Sequence, residues 1–344
     1  MHSINFILAS LAINAVHGVR LLGRVDPRTR ELSWPGTGIS FIFTGSSATI
    51  DVDRISGSNS VELTVDGVAS VMANVNGTPI STPPGLGNGT HHVVLRKRSE
   101  ALFGSIFLGN VTTDGTFEKD GEVSRRIEFV GDSITVGYGL DGVNPCTNNA
   151  SVENNPKTFG ALAASALQAD YSMIAWSGIG VSRNYPSTSP DPSPVMPVRW
   201  TRYNPNDADD SYPFPEASIP DVVVINLGTN DFAYVGVREP LNVQTYISAM
   251  VAFVRDMEKR YPAATFFLMT SPSIGDEYPP GDGTKTAQRK ALRSVMEALN
   301  GTKTDFVDWP TQGSDVGCDY HPNAATHAIG ASILSSAIAG KMGW

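Results

Sequence analysis

The sequence has 344 residues, which is enough for one large domain or two ordinary ones. Its formal net charge of −9 and its pI near 5.1 argue against nucleic acid and anionic membranes as partners, because no basic run is present to neutralise phosphates. Charged residues make up only 17% of the chain, whereas it has 33 Gly and 23 Pro, a profile typical of a loop-rich, β-containing extracellular protein.

An apolar stretch over residues 4–16 lies near the start of the chain. It is too short to span a bilayer and is followed by Gly18 and Arg20, so we interpret residues 1–18 as a secretory signal peptide. A buried first strand or helix is the alternative. Asn-x-Ser/Thr sequons also favour a secreted, extracellular glycoprotein, and glycosylation would require each of them to lie on the surface. The sequons are at Asn76, Asn88, Asn110, Asn149 and Asn300.

Short runs of alternating apolar and polar residues, separated by turn residues, follow in residues 19–122. The alternation predicts β-strands, and Asp66-Gly67 is typical of a two-residue hairpin turn. No convincing helical period is present, so we predict that this region is an all-β, jelly-roll-like sandwich domain. The predicted strands cover residues 39–43, 48–52, 61–65 and 92–96.

The pattern changes in residues 127–344, where predicted strands alternate with predicted helices. Strands separated by helices imply a parallel sheet with helices on both faces, which is a three-layer α/β/α domain. Residues 184–220 are rich in proline, and we interpret them as an insertion that shapes access to the site. The predicted strands cover 127–130, 173–176, 222–227, 265–270 and 305–307, and the predicted helices cover 157–169, 243–260, 285–299 and a last helix that Asn323 caps and that runs to about Gly340.

Four short segments in this second region carry the residues that acyl transfer needs: residues 131–133, 177–178, 228–231 and 319–322. Ser133 is the candidate nucleophile and His321 the candidate base. The Gly178 N–H, the Asn230 side chain and the Ser133 N–H are candidate donors to an oxyanion hole. Segments that follow parallel strands meet at one edge of the sheet, where open α/β sheets bind ligands. The alternative roles are a helix N-cap for Ser133 and a turn-stabilising role for Asn230.

The other histidines that follow the predicted signal peptide give no sign of a metal site. His91 and His92 are neighbours in the β-region and point to opposite faces, so we expect both on the surface. His327 falls within the last predicted helix and is interpreted as structural. Because no His, Asp or Glu cluster has zinc-ligand spacing, the sequence predicts neither a metal nor another cofactor.

Two cysteines are present, Cys146 and Cys318. Cys146 follows the candidate nucleophile and Cys318 precedes the candidate base, so contact between Ser133 and His321 would bring the cysteines close as well. A disulfide would close a loop of 172 residues (318 − 146) and constrain the unfolded chain by about 5 kcal/mol. Secretion favours this bridge, and a pair of free buried thiols is the alternative.

The site segments resemble the four blocks of the SGNH/GDSL hydrolase superfamily, with Gly131-Asp132-Ser133 in the first, Gly178 in the second, residues 228–231 in the third and His321 in the last. The β-rich N-terminal half and residues 317–323 are more specifically similar to carbohydrate esterase family 2. This resemblance implies a jelly-roll sandwich joined to an SGNH domain. It also implies a secreted serine esterase, without a cofactor, that removes acetyl groups from xylan, glucomannan and related plant polysaccharides. We expect a monomer.

One departure from the superfamily concerns the residue that orients His321. The last block of the superfamily is Asp-x-x-His, and Cys318 occupies the position of the Asp. Asp319 is therefore the candidate third catalytic residue, with a backbone carbonyl or another acid such as Asp315 as the alternatives. The resemblance itself includes the carbonyl option, because family 2 has members that work as a Ser-His dyad.

Two other functions stay open at this point. A GDSL-type lipase or short-chain esterase would need an apolar lid or acyl groove, and no sustained apolar amphipathic segment lies near the site segments. A non-catalytic carbohydrate-binding protein on the same fold would use aromatic residues that stack on sugars, and Trp176, Trp200 and Tyr234 are candidates for this. The intact serine and histidine argue against it. The sandwich domain either binds glycan or supports the catalytic domain.

Overall fold

The computed structural model of the protein describes residues 18–121, 123–186, 193–208, 210–233, 236, 238–277, 281 and 283–344. Apart from Gly18, the predicted signal peptide lies outside the described residues, and so does Tyr234. None of the helices within these ranges is both long and apolar enough to cross a membrane.

Two antiparallel sheets form the first part of the fold and confirm the predicted β-sandwich. Their strands are β1 (Val19–Leu22), β2 (Glu31–Leu32), β3 (Gly38–Gly45), β4 (Ala48–Gly57), β5 (Val61–Val65), β6 (Val68–Met72), β7 (Ile80–Ser81), β8 (Gly89–Lys97), β9 (Gly104–Thr113) and β10 (Thr116–Glu118). One sheet has the order β1-β3-β8-β5-β6, with β10 also paired to β3, and the other has the order β2-β9-β4-β7. The β5–β6 hairpin turns at the predicted Asp66-Gly67 pair.

The apolar core of the sandwich follows the period of two in the sequence. Alternate residues of β3 and β8 face the core, so Phe41, Phe43, Val93 and Leu95 are all fully buried. Successive side chains of a strand point to opposite faces of the sheet, and the residues between these are therefore more exposed.

A five-stranded parallel sheet forms the second part of the fold, with the order β12-β11-β13-β14-β15. Its elements are β11 (Arg126–Gly131), α1 (Ser133–Val136), α2 (Phe159–Ala166), β12 (Asp170–Ala175), α3 (Met196–Arg199), β13 (Val222–Asn226), α4 (Thr229–Phe232), α5 (Val243–Arg260), β14 (Thr265–Met269), α6 (Thr284–Ala298), β15 (Thr304–Val307) and α7 (Ala324–Met342).

Helices cover both faces of this sheet, as the alternation of strands and helices predicts. Val222 and Val224 of β13 pack with residues of α2 and α7, whereas Val223 and Ile225 pack with residues of α5 and α6. All five residues of β13 are buried, because a parallel strand between two helical layers has no solvent-facing side. The confirmed architecture is three-layer α/β/α.

Candidate active site

Ser133 is the first residue of α1 and follows the carboxyl end of β11 by two residues. Asp132 caps this helix, since its carboxylate accepts a hydrogen bond from the Ile134 N–H at 3.0 Å. Only glycine fits at position 131, directly before Asp132, because a Cβ there would lie 2.0 Å from Thr135 Oγ1. The N-cap role therefore belongs to Asp132, which leaves the Ser133 hydroxyl available for chemistry.

His321 meets this serine from the far end of the chain. Its Nε2 lies 2.9 Å from Ser133 Oγ, and its Nδ1 lies 3.1 Å from the carbonyl oxygen of Asp319. When Nδ1–H donates to that carbonyl, Nε2 carries the lone pair and can accept the serine proton. The hydrogen-bond network thus assigns the tautomer that a general base needs.

A backbone carbonyl orients His321 in this structure, which is the second of the three options that the sequence left open. The Asp319 carboxylate accepts hydrogen bonds from the Tyr138 hydroxyl at 2.9 Å and from the Asn148 N–H at 3.0 Å. Asp315 is exposed. The geometry therefore favours a role for Asp319 through its main chain, with its side chain bracing the turn.

This turn has a left-handed backbone, which aims the carbonyl at the histidine ring. Asp319 and Tyr320 have φ angles of 50° and 63°, values that non-glycine residues adopt only under constraint. The predicted Cys146–Cys318 disulfide forms directly beside them and supplies part of that constraint. The packing is close, since a Cβ on Gly142 would lie 2.0 Å from Cys318 Sγ.

The histidine ring is buried against an aromatic ring. Tyr138 stacks on His321 with ring centroids 4.0 Å apart and an interplanar angle of 28°. Burial lowers the pKa of His321 to about 4, because the charged imidazolium loses hydration there. At neutral pH the ring is therefore neutral and ready to accept a proton.

Two of the three predicted oxyanion donors, Gly178 and Asn230, line the same cleft as Ser133. Gly178 has a φ of 79°, and its carbonyl accepts a hydrogen bond from the Tyr185 N–H at 2.7 Å. Asn230, at the start of α4, donates from Nδ2 to the Ile179 carbonyl at 2.7 Å. Among the described residues the Gly178 N–H has no acceptor, so it is a donor available to a ligand.

A buried aspartate, which the sequence analysis did not single out, shapes the loop after Gly178. Asp231 accepts hydrogen bonds from the backbone N–H groups of Val181, Ser182 and Arg183 at 2.7 to 3.1 Å. Burial raises the pKa of this carboxyl, and the hydrogen bonds oppose that rise. Its position next to Asn230 in the third motif was the available signal.

The serine, the histidine and both donors open onto one cleft of about 870 Å³. Three tyrosines that were not predicted as site residues lie in its wall: Tyr138, Tyr185 and Tyr320. Tyr185 is 51% exposed and Tyr320 is 74% exposed, so both present ring surface to solvent at the site. The lining consists of Ser133, Tyr138, Ser177, Gly178, Tyr185, Thr229, Asn230, Ala233, Ser273, Asp319, Tyr320 and His321.

The two described tryptophans that were candidates for stacking on sugars differ in burial. Trp200 was a candidate for stacking on sugars, and this is wrong, because its side chain is only 2% exposed and its Nε1 donates to Glu128 at 2.7 Å. Trp176 is partly buried, with the Arg199 guanidinium 3.9 Å from its ring centre. The proline-rich segment therefore contributes a core residue as well as surface.

The remaining predicted polar positions lie outside the cleft. His327 is fully buried and its Nδ1 accepts the Phe159 N–H at 3.1 Å, which is a structural role. His91 pairs with Asp66 at 2.7 Å, and His92 is exposed. The described residues contain no group of three or more His, Cys, Asp or Glu side chains placed to hold a metal ion.

All five sequon asparagines are exposed, namely Asn76, Asn88, Asn110, Asn149 and Asn300.

Two protein families match this chain, one for each part of the fold. The GDSL-like lipase/acylhydrolase family matches residues 129–329, and the N-terminal domain of carbohydrate esterase 2 matches residues 21–118. Together they account for both the sandwich and the parallel-sheet region.

Curated relatives give the same assignment. The chain is 32% identical over 340 residues to the cellulase/esterase CelE of Acetivibrio thermocellus, where the alignment covers 93% of this chain but only 38% of that protein. It is 32% identical over 333 residues to an acetylxylan esterase / glucomannan deacetylase of Cellvibrio japonicus, with 92% of this chain and 88% of the relative covered.

Solved structures agree with the fold over nearly the whole chain. A carbohydrate esterase family 2 enzyme with a carbohydrate binding domain, from Corynascus thermopiles (Myceliophthora fergusii), is 60% identical with a TM-score of 0.93, covering 95% of this chain and 100% of that one. A family 2 esterase from Clostridium thermocellum, in complex with cellohexaose, is 30% identical with a TM-score of 0.85, and the same shares are covered. The chain belongs to carbohydrate esterase family 2, and its GDSL-like domain is that of a carboxylic ester hydrolase.

Proposed function

We propose that this chain is a secreted serine esterase that removes O-acetyl groups from plant polysaccharides such as xylan and glucomannan. The observation that carries the proposal is the 2.9 Å contact between Ser133 Oγ and His321 Nε2 in an open cleft. The substrate class is taken from the Cellvibrio japonicus relative, which is named for acetylxylan esterase and glucomannan deacetylase activities.

The first half of the reaction forms an acetyl-enzyme. His321 Nε2 takes the Ser133 proton as Oγ attacks the acetyl carbonyl carbon, and the carbonyl electrons move to its oxygen. The N–H groups of Gly178 and Ser133 and the Asn230 amide hold that oxyanion. The carbonyl of Asp319 stabilises the imidazolium through Nδ1–H. The acetyl-enzyme forms when the C–O bond to the sugar breaks and the imidazolium gives its proton to the leaving sugar oxygen.

The second half restores the enzyme. Water then attacks the acetyl carbon with His321 as base, and acetate leaves as Ser133 regains its proton. No step in this scheme uses a metal or another cofactor.

Polymer binding is supported by the shape of the cleft mouth. Tyr185 and Tyr320 both line the cleft and are more than half exposed, so their rings are available to pack on sugar faces. The Clostridium thermocellum neighbour is described in complex with cellohexaose, a linear glucan, on the same fold.

Secretion is supported by three features of the chain. These are the apolar stretch over residues 4–16, the exposed sequon asparagines and the Cys146–Cys318 disulfide, which is typical of oxidising compartments. We extend the proposal to N-glycosylation at those sequons and to a monomeric enzyme.

The test is acetate release from acetylated xylan and glucomannan, together with hydrolysis of short-chain and long-chain p-nitrophenyl esters. We compare the wild type with Ser133→Ala and, as a matched control, with Ser336→Ala on an exposed position of α7. The expected result is acetate release that Ser133→Ala abolishes and Ser336→Ala retains, with acetyl esters preferred over long acyl chains.

Each other outcome assigns a different function. A preference for long acyl chains would identify a GDSL-type lipase. Polysaccharide binding without hydrolysis by the wild type would identify a carbohydrate-binding protein. Full activity of a correctly folded Ser133→Ala variant would overturn the mechanism.

A further inference from the structure

One buried carboxylate next to the active site has no place in the reaction above. Glu100 lies between β8 and β9, so it belongs to the sandwich, and its exposed surface is 0%. Burial raises the pKa of this carboxyl, since a buried charge loses its hydration. A buried carboxyl destabilises the fold unless its hydrogen bonds offset the lost hydration. The contacts of Glu100 therefore indicate its function.

Its carboxylate reaches across the domain boundary to the oxyanion loop. Glu100 Oε2 accepts the Ser177 N–H at 2.9 Å, and Ser177 directly precedes Gly178. On the other side of the glycine, the Ile179 carbonyl accepts from Asn230. Gly178 therefore lies between two tethered neighbours, which matters because a glycine with φ of 79° has wide conformational freedom of its own.

The same loop of the sandwich also connects to the histidine. The Glu100 N–H donates to Glu153 Oε2 at 2.7 Å, and Glu153 Oε1 accepts from Asn148 Nδ2 at 2.8 Å. The Asn148 N–H in turn donates to the Asp319 carboxylate at 3.0 Å. Hydrogen bonds thus run from the loop that carries an oxyanion donor to the residue whose carbonyl orients His321.

We propose that Glu100 is a positioning residue of the oxyanion hole, supplied by the sandwich, and that it acts through the Ser177 N–H to aim the Gly178 N–H at the reacting carbonyl. The inference rests on the proposed mechanism. It gives the sandwich a part in the reaction besides the glycan binding or passive support expected from the sequence. Because an oxyanion donor acts mainly in the transition state, losing its aim lowers kcat while KM stays similar.

The experiment compares Glu100→Ala, Glu100→Asp and Glu100→Gln with Ser60→Ala as the matched control. Ser60 is also buried in the sandwich and bonds across the boundary, from Oγ to the Ala150 carbonyl, but not to the oxyanion loop. The readouts are kcat and KM for p-nitrophenyl acetate, inhibition by phenylboronic acid, whose tetrahedral serine adduct occupies the oxyanion hole, and circular dichroism.

We expect Glu100→Ala to lower kcat by about 10- to 100-fold, somewhat less than removal of a donor outright, with KM within about twofold. Boronate affinity falls in parallel. Glu100→Gln keeps an oxygen that accepts the Ser177 N–H, so its kcat stays within about threefold of wild type. The kcat of Glu100→Asp lies between those of Glu100→Gln and Glu100→Ala. Ser60→Ala leaves kcat unchanged.

The inference is overturned if folded Glu100→Ala keeps wild-type kcat, or if its kcat falls while boronate binding does not. Should Glu100→Ala fail to fold, Glu100→Asp decides by the same criteria, because it keeps the carboxyl group and only shortens the side chain. Activity that survives Ser133→Ala would instead overturn the proposed mechanism, whatever the Glu100 variants do.

Discussion

Two of the buried polar contacts between the sandwich and the parallel-sheet region differ in how their charges are matched. In the Arg24 contact, the Arg24 guanidinium donates to Glu128 of β11 at 3.0 Å, and Trp200 Nε1 donates to the other carboxylate oxygen at 2.7 Å. The guanidinium also lies 3.9 Å from the centre of the Tyr212 ring. The opposite charges, the hydrogen bonds and the cation–π interaction all stabilise this buried ion pair, and together they offset the loss of hydration.

The Glu100 contact, next to the active site, is less well matched. Two carboxyls, Glu100 and Glu153, are buried together, and burial raises the pKa of each. Lys97 is buried beside them, its Nζ donates to the Ser99 carbonyl, and burial lowers its pKa to about 7. Such an arrangement costs stability, and proteins retain local conflicts of this kind mainly at functional sites. The comparison separates a contact that holds the domains together from one that positions a loop.

The largest effect is expected from loss of the disulfide. It tests whether this covalent bond, rather than the Glu100 contact, holds the turn that carries Asp319 and His321. Replacing both Cys146 and Cys318 by Ala opens a loop of 172 residues and should cost about 5 kcal/mol of unfolding free energy. It should also lower kcat, because the turn that carries Asp319 and His321 loses its anchor. Urea unfolding and p-nitrophenyl acetate kinetics measure the two effects.

The wild type treated with a reductant serves as the comparison for this variant, because it opens the same loop without a change of sequence. Unaltered stability and kcat in both would mean that hydrogen bonds alone hold the histidine turn. The Glu100 contact would then be the main constraint at this end.

The Arg24 contact should affect stability only. Arg24→Met leaves the buried Glu128 carboxylate without its cation, which should cost about 3–5 kcal/mol of unfolding free energy. We expect kcat and KM of the folded variant to match wild type, since neither residue lines the cleft. Arg28→Met, at an exposed ion pair, is the control and should change nothing measurable in the same urea titration. A fall in kcat for Arg24→Met would remove the distinction between the two contacts.

Much of the fold could be predicted from the sequence, because its elements have strong local signals. Helix α5 begins and ends where predicted, at Val243 and Arg260, since Asn242 caps it and its apolar face has a clear period. Strand β9 was missed, although it spans Gly104–Thr113, because glycines and Asn110 interrupt its alternation.

The site could be predicted in part for the same reason. Ser133 and His321 sit in motifs, and Cys318 at an expected Asp position signalled that His321 is oriented differently. The burial of Trp200 and the contact of Glu100 with Ser177 depend on tertiary packing between distant segments, and neither residue stands in a recognisable pattern. Candidate residues in motifs can therefore be predicted from one sequence, whereas contacts that depend on tertiary packing cannot.

The smallest expected effect concerns the charge conflict in the Glu100 contact. Glu153 has a raised pKa when folded, so the folded chain keeps a proton that the unfolded chain releases above about pH 4.5. Unfolding then releases a proton, and wild-type stability falls as the pH rises from 4.5 toward the folded pKa. Gln cannot titrate, so the stability of Glu153→Gln relative to wild type should rise with pH, by at most about 1.4 kcal/mol per unit.

Urea titrations at pH 5, 6, 7 and 8 measure this slope, and Glu216→Gln at an exposed position is the matched control with a flat difference. A flat difference for Glu153→Gln as well would mean that Glu153 is ionised in the folded protein. Ionisation of Glu153 would then cost no more in the folded protein than in the unfolded chain. The Glu100 contact would no longer differ from the Arg24 contact in how well its charges are matched. Positioning of the oxyanion loop by Glu100 would then have no measurable cost in stability, and only the kcat of the Glu100 variants would test that role.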